Sequence, residues 1–300
     1  MNVRLPFLAL ALSALVCPLA VAQDAAKTDT PAAVVTTVAT PAENTSRAWT
    51  LLTSSVKDTK HVDTCIQALA ALGTMGVNER AAGLITDAFK DPERDIRTAA
   101  ILAAAQTKNP RLLRYVRVAL DDAEPEVAFT AATALWKIHD HSGEDILVAI
   151  ASGERRANAT LMNGARHTAA RDLHNPATLA KIGATQGAYY LLGPFGFGLS
   201  AVEYARKNGG DSARATSIDL LAEQHTPSVH KDLVDALDDK DPAVRAAAAK
   251  ALGQWSDPAT ASALAGLLDD SKLPVRLTGA AAYLRSSSGH RTASAKPKTS

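Results

Sequence analysis

A helical pattern that returns every 31 residues limits what this chain can fold into more than any other feature. The clearest copy covers 241–255, where Asp241 is suited to cap a helix and Pro242 to occupy its first position. Its apolar residues fall at helical spacing: Val244, Ala248, Ala251, Leu252 and Trp255. Further copies surround Val275-Arg276, Ala213-Arg214, Val127-Ala128, Ile96-Arg97 and Cys65. A fixed period of this length predicts stacked helix pairs, and therefore an all-α, right-handed solenoid.

These residues resemble HEAT-like repeats, particularly the short repeats of phycobilin lyases. The resemblance rests on Asp-Pro-x-x-x-Ile-Arg at 91–97 and Asp-Pro-Ala-Val-Arg at 241–245, and it covers roughly 46–286. In that family an aspartate and an arginine six residues apart usually tie adjacent repeats together. Three pairs keep this spacing: Asp91/Arg97, Asp239/Arg245 and Asp270/Arg276. The resemblance implies a fold and says little about function, because such repeats serve scaffolds, adaptors and a few enzymes.

Residues 1–22 have the organisation of a secretory signal. Arg4 gives a positive start, an apolar core covers 7–16, and a small-x-small cleavage site ends at Ala22. The apolar core is shorter than the roughly 20 residues that span a bilayer. Cys17 could be the lipid-modified cysteine of a lipoprotein, but the signal of that class resembles a pattern with a small residue before the cysteine, and here Val16 stands in that position. We therefore interpret Cys17 as part of the removed segment. We therefore expect cleavage after Ala22 and export, most simply to the periplasm.

Composition divides the rest of the chain into five segments. Residues 23–45 form an Ala/Thr/Pro-rich leader without a helical pattern, and the first helix is expected to begin near Ser46. HEAT-like repeats are predicted over 46–174 and 205–286, on either side of a hydrophobic insertion at 175–204. The polar residues 287–300 are predicted to be a disordered tail.

The insertion interrupts the period and has an unusual composition. Val127 and Ala213 lie two periods and a further 24 residues apart, and 182–202 contains no charged side chain. The glycines and proline of 193–198 exclude one continuous helix. Its aromatic residues are a candidate docking surface: Tyr189, Tyr190, Phe195, Phe197 and Tyr204. The alternatives are a hydrophobic plug that seals an irregular joint between repeats, or an interfacial membrane contact through 182–202.

Residues that could carry chemistry are few. His139-Asp140-His141 places two imidazoles near a carboxylate, but no third partner has a metal-ligand spacing, so no metal site is predicted. The di-iron hydroxylases built from HEAT-like repeats resemble this chain in fold, but their His-Glu dipeptides are missing here. The sequence contains no nucleophile-elbow, P-loop, zincin or Cys-x-x-Cys motif. We therefore assign no catalytic residue and no cofactor.

Charge and the remaining unusual residues agree with a binding protein. Cleavage after residue 22 removes Arg4 and no acid, so the 32 basic residues become 31 against 31 acidic ones. Such a chain has no bulk attraction to nucleic acid or anionic lipid. Cys65 is expected to be a small buried residue, and Trp136 and Trp255 are expected in the core.

The sequence thus predicts an exported, non-catalytic scaffold that binds an unidentified protein partner. An enzyme or small-ligand binder with its site beside the insertion is the alternative, since a spatial triad leaves no sequence signature.

Overall fold

The computed structural model describes residues 39–152 and 212–294, with side chains described over 39–149 and 214–288. Within these ranges the chain is helical and contains no strand. The helices are α1 (Pro41–Val56), α2 (Val62–Gly73), α3 (Glu79–Ala88), α4 (Arg94–Thr107), α5 (Pro110–Val118), α6 (Pro125–Lys137), α7 (Glu144–Ser152), α8 (Ser212–Leu221), α9 (Pro227–Asp235), α10 (Pro242–Leu252), α11 (Pro258–Gly266) and α12 (Leu273–Ser294). The predicted all-α solenoid is confirmed. In the described part, no helix is long and apolar enough to cross a membrane.

Six of the described helices, α1, α3, α5, α9, α10 and α11, begin with a residue whose side-chain oxygen caps them. Asp241 accepts a hydrogen bond from the Ala243 amide at 2.9 Å, and Pro242 is the first residue of α10, as the sequence predicted. Asn109 caps α5 in the same way, through the Arg111 amide at 3.0 Å. The starts of these two helices are therefore specified locally by one capping residue each.

Two predicted boundaries were wrong. Helix α1 begins at Pro41 rather than near Ser46, because Thr40 and Glu43 form a capping box in which each side chain binds the other residue's amide. Helix α12 continues to Ser294 rather than ending at 286. The Ser288 hydroxyl donates to the Leu284 carbonyl at 2.6 Å, so this polar segment satisfies its hydrogen bonds along the helix.

The helices stack in two rows, and the stack does not follow chain order. Successive contacts run α8, α10, α12, α2, α4, α6 in the first row, and the second row includes α1, α3, α5, α7, α9 and α11. The C-terminal helix α12 lies between α10 and α2, and it packs against both α11, its neighbour in the chain, and α1. The last described repeat, α11 with α12, therefore stacks on the first one, α1 with α2.

Small residues allow the first-row helices to approach closely. A Cβ atom added at Gly73 would lie 3.0 Å from the Ala103 Cα, and one added at Gly253 would lie 2.9 Å from the Ala282 Cα. Ala103 and Ala282 are themselves at most 2% exposed, as is Leu252. Neighbouring repeats are therefore held by dense packing between backbones, which the Ala-rich helices of the sequence indicated.

Polar contacts also cross the contact between the two ends of the chain. We call the packing of α1 and α2 against α12 and the turn before it the end-to-end joint. Arg47 forms an ion pair with Asp269, the Tyr283 hydroxyl donates to the Pro41 carbonyl at 2.9 Å, and Arg285 donates to the Thr74 carbonyl at 2.6 Å. Helices α1 and α12 also bury apolar side chains in the core, among them Ala48, Leu52, Tyr283 and Leu284.

Candidate functional site

A ladder of arginine–aspartate pairs runs along one edge of the stack. Arg97 binds both carboxylate oxygens of Asp122, at 2.8 and 2.9 Å, and Arg245 binds both oxygens of Asp270, at 2.7 and 2.9 Å. Arg214 makes the equivalent pair with Asp239. In each pair the aspartate follows the arginine by 25 residues. This spacing brings the arginine of one repeat to the turn that precedes the next first-row helix, so the pairs link adjacent repeats.

The aspartate–arginine pairs with six-residue spacing, which were named from the sequence, are joined through the backbone carbonyl of the aspartate rather than through its carboxylate. Arg97, Arg245 and Arg276 each donate to the backbone carbonyl of the aspartate six residues earlier, at 2.7–2.9 Å. Those aspartates are Asp91, Asp239 and Asp270. Each of these arginines thus fixes the turn of its own repeat through the carbonyl. Arg97 and Arg245 also reach the next repeat through a carboxylate.

Hydrogen bonds favour the ionised form of two of these carboxylates, Asp239 and Asp270. The Arg214 hydrogen bond is the main reason that the pKa of Asp239 lies below its ordinary value. Burial alone would raise the pKa of Asp270, but hydrogen bonds from Arg245 and the Lys272 amide outweigh it and lower the pKa. The Arg245–Asp270 side chains are only 12% and 8% exposed, so this pair is shielded from water.

A groove opens on the same edge between two consecutive turns. The turns share the sequence Leu-Asp-Asp, at 120–122, 237–239 and 268–270, and we call this side of the stack the Leu-Asp-Asp edge. The groove has a volume of about 360 Å³ and is lined by the two C-terminal turns together with Arg245, Ala263 and Gly266. Leu237 and Leu267 give it apolar walls, and the Asp269 side chain is 71% exposed. Chemically, the groove combines apolar walls with carboxylates and offers no nucleophile.

The aromatic docking candidates lie outside the described residues. Tyr189, Tyr190, Phe195, Phe197 and Tyr204 all fall within 153–211, as does the whole predicted insertion. Their role as a docking surface stays a prediction.

In the segment His139-Asp140-His141, Asp140 and His141 contact neighbouring side chains of the fold. Asp140 accepts a hydrogen bond from Arg117 at 2.8 Å, and His141 packs edge-on against Trp136 with ring centres 4.5 Å apart. Over 39–152 and 212–294, no group of three or more histidine, cysteine or acidic residues is arranged to hold a metal ion. The region therefore presents one imidazole to an indole and one carboxylate to an arginine.

Trp136 is 44% exposed, so its predicted place in the core was wrong. Ala128 and Arg245 occupy the same position in their repeats, and Trp136 follows Ala128 by eight residues as Gly253 follows Arg245. Trp136 and Gly253 are therefore equivalent positions. Gly253 contacts the next first-row helix, whereas α6 is the last helix of this row in the described part. The periodicity placed Trp136 on the correct face but did not show that no described helix covers it.

Trp255 belongs to a cluster that sequence reasoning missed. It is half-buried, and the rings of His225 and His230 lie 5.1 and 4.6 Å from it. The Thr260 hydroxyl lies 2.6 Å from the His230 Nε2 and 2.5 Å from an Asp257 oxygen. Because the hydroxyl has one proton and the ionised carboxylate can only accept, Thr260 donates to Asp257 and His230 donates to Thr260.

The Thr260 arrangement contains the residue types of a hydrolytic triad in an unproductive order. In a triad the histidine accepts the proton of the nucleophile, whereas here Thr260 gives its proton to Asp257. Thr260 is also completely buried, and Asp257 caps α11 through the Thr260 amide. The cluster therefore links α9 to α11 and offers no exposed nucleophile.

Cys65 is buried, which confirms its sequence assignment. It is 1% exposed, and its sulfur lies 3.1 Å from the Val56 carbonyl oxygen. Burial raises the pKa of the thiol to about 11, with a smaller contribution from the charges of Asp91 and Asp58. The thiol is therefore protonated near neutral pH and is a poor nucleophile.

The class of protein follows from this geometry: an all-α repeat protein whose helix pairs are joined by dense packing and by arginine–aspartate pairs. The family model described as HEAT repeats matches residues 81–162 and 200–285, which together make up more than half of the chain. The chain belongs to the HEAT-repeat family, as its motifs indicated.

Two further comparisons add nothing to this assignment. The structure of human deoxyhypusine hydroxylase in complex with glycerol is similar, with 17% sequence identity and a TM-score of 0.31, over 81% of this chain and 96% of that chain. A similarity of this extent carries no argument about activity. No curated protein matches the sequence.

Proposed function

We propose that this protein is an exported, non-catalytic HEAT-repeat scaffold that binds another protein in the cell envelope. The observation that carries the proposal is the groove on the Leu-Asp-Asp edge, which lies between two repeats and combines apolar walls with carboxylates. A lysine or arginine of a partner would place its aliphatic part along Leu237 and Leu267 and its charge near Asp238. We therefore propose a partner with an exposed basic segment.

The Thr260 cluster supports the hypothesis that the protein is a scaffold rather than an enzyme. Its hydroxyl is buried and donates to a carboxylate, so it does not favour a hydrolase. An enzyme or small-ligand binder with its site beside the insertion remains the alternative function, together with membrane contact through 182–202. Both alternatives depend on residues outside the described ranges.

Affinity capture from the envelope fraction tests the scaffold function. We expect the wild-type protein to retain one partner at a stoichiometric ratio and Asp238→Lys to lose it, because the substitution reverses a charge in the groove. Asp232→Lys on α9 is the matched control, since it makes the same charge change outside the groove. Equal retention by both variants would remove the groove from the proposal, and failure to recover any partner would count against the scaffold.

The insertion has its own test. If residues 182–202 dock a partner, replacing Phe195 and Phe197 with serine should abolish capture and leave the melting temperature nearly unchanged. If the insertion is a structural plug, the same change should cost about 3–5 kcal/mol per buried phenylalanine and destabilise the protein markedly. Export has a separate test. Mass spectrometry of the protein purified from the envelope fraction should show an N-terminus at Gln23, because cleavage is expected after Ala22.

A further inference from the structure

The groove on the Leu-Asp-Asp edge presents an equivalent aspartate from each of the two turns that border it. Asp238 and Asp269 are 31 residues apart, which is the length of one repeat. Asp238 is exposed, and within the described part of the chain its carboxylate forms no ion pair or hydrogen bond. Asp269 pairs with Arg47, but its side chain is 71% exposed, so its oxygens can accept a further donor. Two accessible carboxylates therefore lie on opposite sides of one groove.

The packing of α10 against α12 sets the distance between these two carboxylates. Neighbouring helices pack with their axes about 8–10 Å apart. Here the two helices touch through their backbones at Gly253 and Ala282, which excludes a wider separation. Because Asp238 and Asp269 occupy the same position in successive turns, they are also separated by about 8–10 Å. A basic segment that reaches both must repeat its side chains at this interval.

The regular backbone conformations differ in the interval at which they present side chains on one face. A β-strand does so about every 6.7 Å, with the next residue on that face about 13 Å away, and neither distance matches the turns. An α-helix does so after seven residues, about 10.5 Å, but its diameter of about 10–12 Å is too wide for a groove of about 360 Å³. A polyproline II helix is thin and presents the same face every three residues, about 9.3 Å. This conformation satisfies both the interval and the width.

We propose that the groove binds a proline-rich basic segment in the polyproline II conformation, with lysine or arginine at positions i and i+3. One basic side chain reaches Asp238 and the other reaches Asp269. The proline rings and the aliphatic parts of the basic side chains pack against Leu237, Leu267 and Ala263. Such a segment is already ordered before it binds, so it loses little conformational entropy. This inference rests on the proposed function, because it specifies the basic segment that the groove is proposed to bind.

The experiment compares three synthetic peptides that have the same composition and differ in the spacing of their basic residues. Each contains two lysines among prolines, with the lysines two, three or four residues apart and isotopically labelled at Cε. The peptides are titrated with the full mature protein at low ionic strength and followed by NMR. We expect the three-residue spacing to bind roughly two- to fivefold more tightly than the others, because a wrong spacing removes one exposed ion pair. Equal affinities, or no binding by any of the peptides, would overturn the proposal.

A fourth peptide tests the backbone conformation. It keeps the lysines three residues apart but replaces the prolines with glycine and serine, which form a flexible chain. We expect weaker binding than for the proline peptide with the same spacing, because the flexible chain must be ordered on binding. If the flexible peptide binds as tightly, the groove does not select the polyproline II conformation.

Variants of the protein locate the bound peptide. At Gly266 an added Cβ meets no atom within 4 Å, so Gly266→Met should fill the groove and abolish peptide binding without lowering the melting temperature. Asp238→Asn should abolish the preference for the three-residue spacing. Asp232→Asn on α9 is the matched control, since it removes the same charge outside the groove and should keep the preference. Peptide binding that survives Gly266→Met, or a spacing preference that survives Asp238→Asn, would place the peptide elsewhere and refute the proposal.

Failure of this inference can be told apart from failure of the proposed function. If Asp238→Lys loses the captured partner but the peptides show no spacing preference, the groove binds a basic segment of another conformation, and this inference alone is refuted. If Asp238→Lys retains the captured partner while the peptide with three-residue spacing is preferred, the groove has the predicted selectivity and the captured partner binds on another surface.

Discussion

Glycine-to-alanine substitutions should have opposite effects at two positions, because the first-row helices touch through their backbones. At Gly253, a Cβ would lie 2.9 Å from the Ala282 Cα and 3.0 Å from its Cβ, closer than carbon atoms pack, so α10 and α12 must move apart. Overpacking of this kind costs about 1–3 kcal/mol. At Gly83, inside α3, no atom lies within 4 Å of the added Cβ. There the gain in helix propensity should stabilise the protein by about 0.5–1 kcal/mol.

The assay is urea unfolding followed by far-UV circular dichroism, with thermal melting as a second measurement. For a domain of this size, each kcal/mol should move the melting temperature by roughly 2–4 °C, so Gly253→Ala and Gly83→Ala should differ in sign. Hydrogen exchange should show reduced protection in α10 and α12 for Gly253→Ala alone. If both substitutions shift stability equally, the neighbouring helices are not in backbone contact and the packing described here is incorrect.

Three further predictions concern the core and the ion pairs. Leu252→Ala should cost about 2–5 kcal/mol in unfolding experiments, whereas the exposed Gln254→Ala should change stability by less than about 0.5 kcal/mol. Arg245→Met leaves a buried carboxylate unpaired and should cost about 3–5 kcal/mol, against about 0–1 kcal/mol for Arg111→Met in an exposed pair. The pKa of Asp239 is lower in the folded protein than in the unfolded chain, where it is about 3.9, so ionised Asp239 stabilises the fold above that pH. The free energy of unfolding should therefore fall as the pH drops below about 3.9 and the folded carboxylate is protonated. The fall should be less steep in Asp239→Asn. These assignments would be contradicted if Leu252→Ala or Arg245→Met lost no more free energy of unfolding than its control variant. They would also be contradicted if Asp239→Asn had the same acid dependence as the wild-type protein.

The local signals of the sequence were sufficient for the repeat itself. Asp241 and Pro242 specify the start of α10 within a few residues, so no distant contact is needed to place it. The same kind of signal was present at Thr40 and Glu43, but the Ala/Thr/Pro-rich composition around it concealed the capping box. The carboxylate partner of Arg97 could also have been found by aligning successive copies, because Asp122 occupies the position in its repeat that Asp91 occupies in the one before.

Long-range arrangement could not be predicted from the period. A repeat pattern implies that each helix pair packs on the next pair in the chain, whereas α12 packs on α1 across most of the sequence. The ion pair between Arg47 and Asp269 joins residues with no shared motif. The candidate docking residues in 182–204 are supported by composition alone, so their role stays a prediction.

The position of α1 also has a consequence for how the protein acquires its structure during synthesis. Arg47 and its partner are 222 residues apart, so at 5–20 residues per second the partner emerges roughly 10–45 s later. During that interval α1 lacks the last helix, against which it packs in the finished protein. The face of α1 that includes the buried residues Ala48 and Leu52 is therefore completed only when the end of the chain has been made.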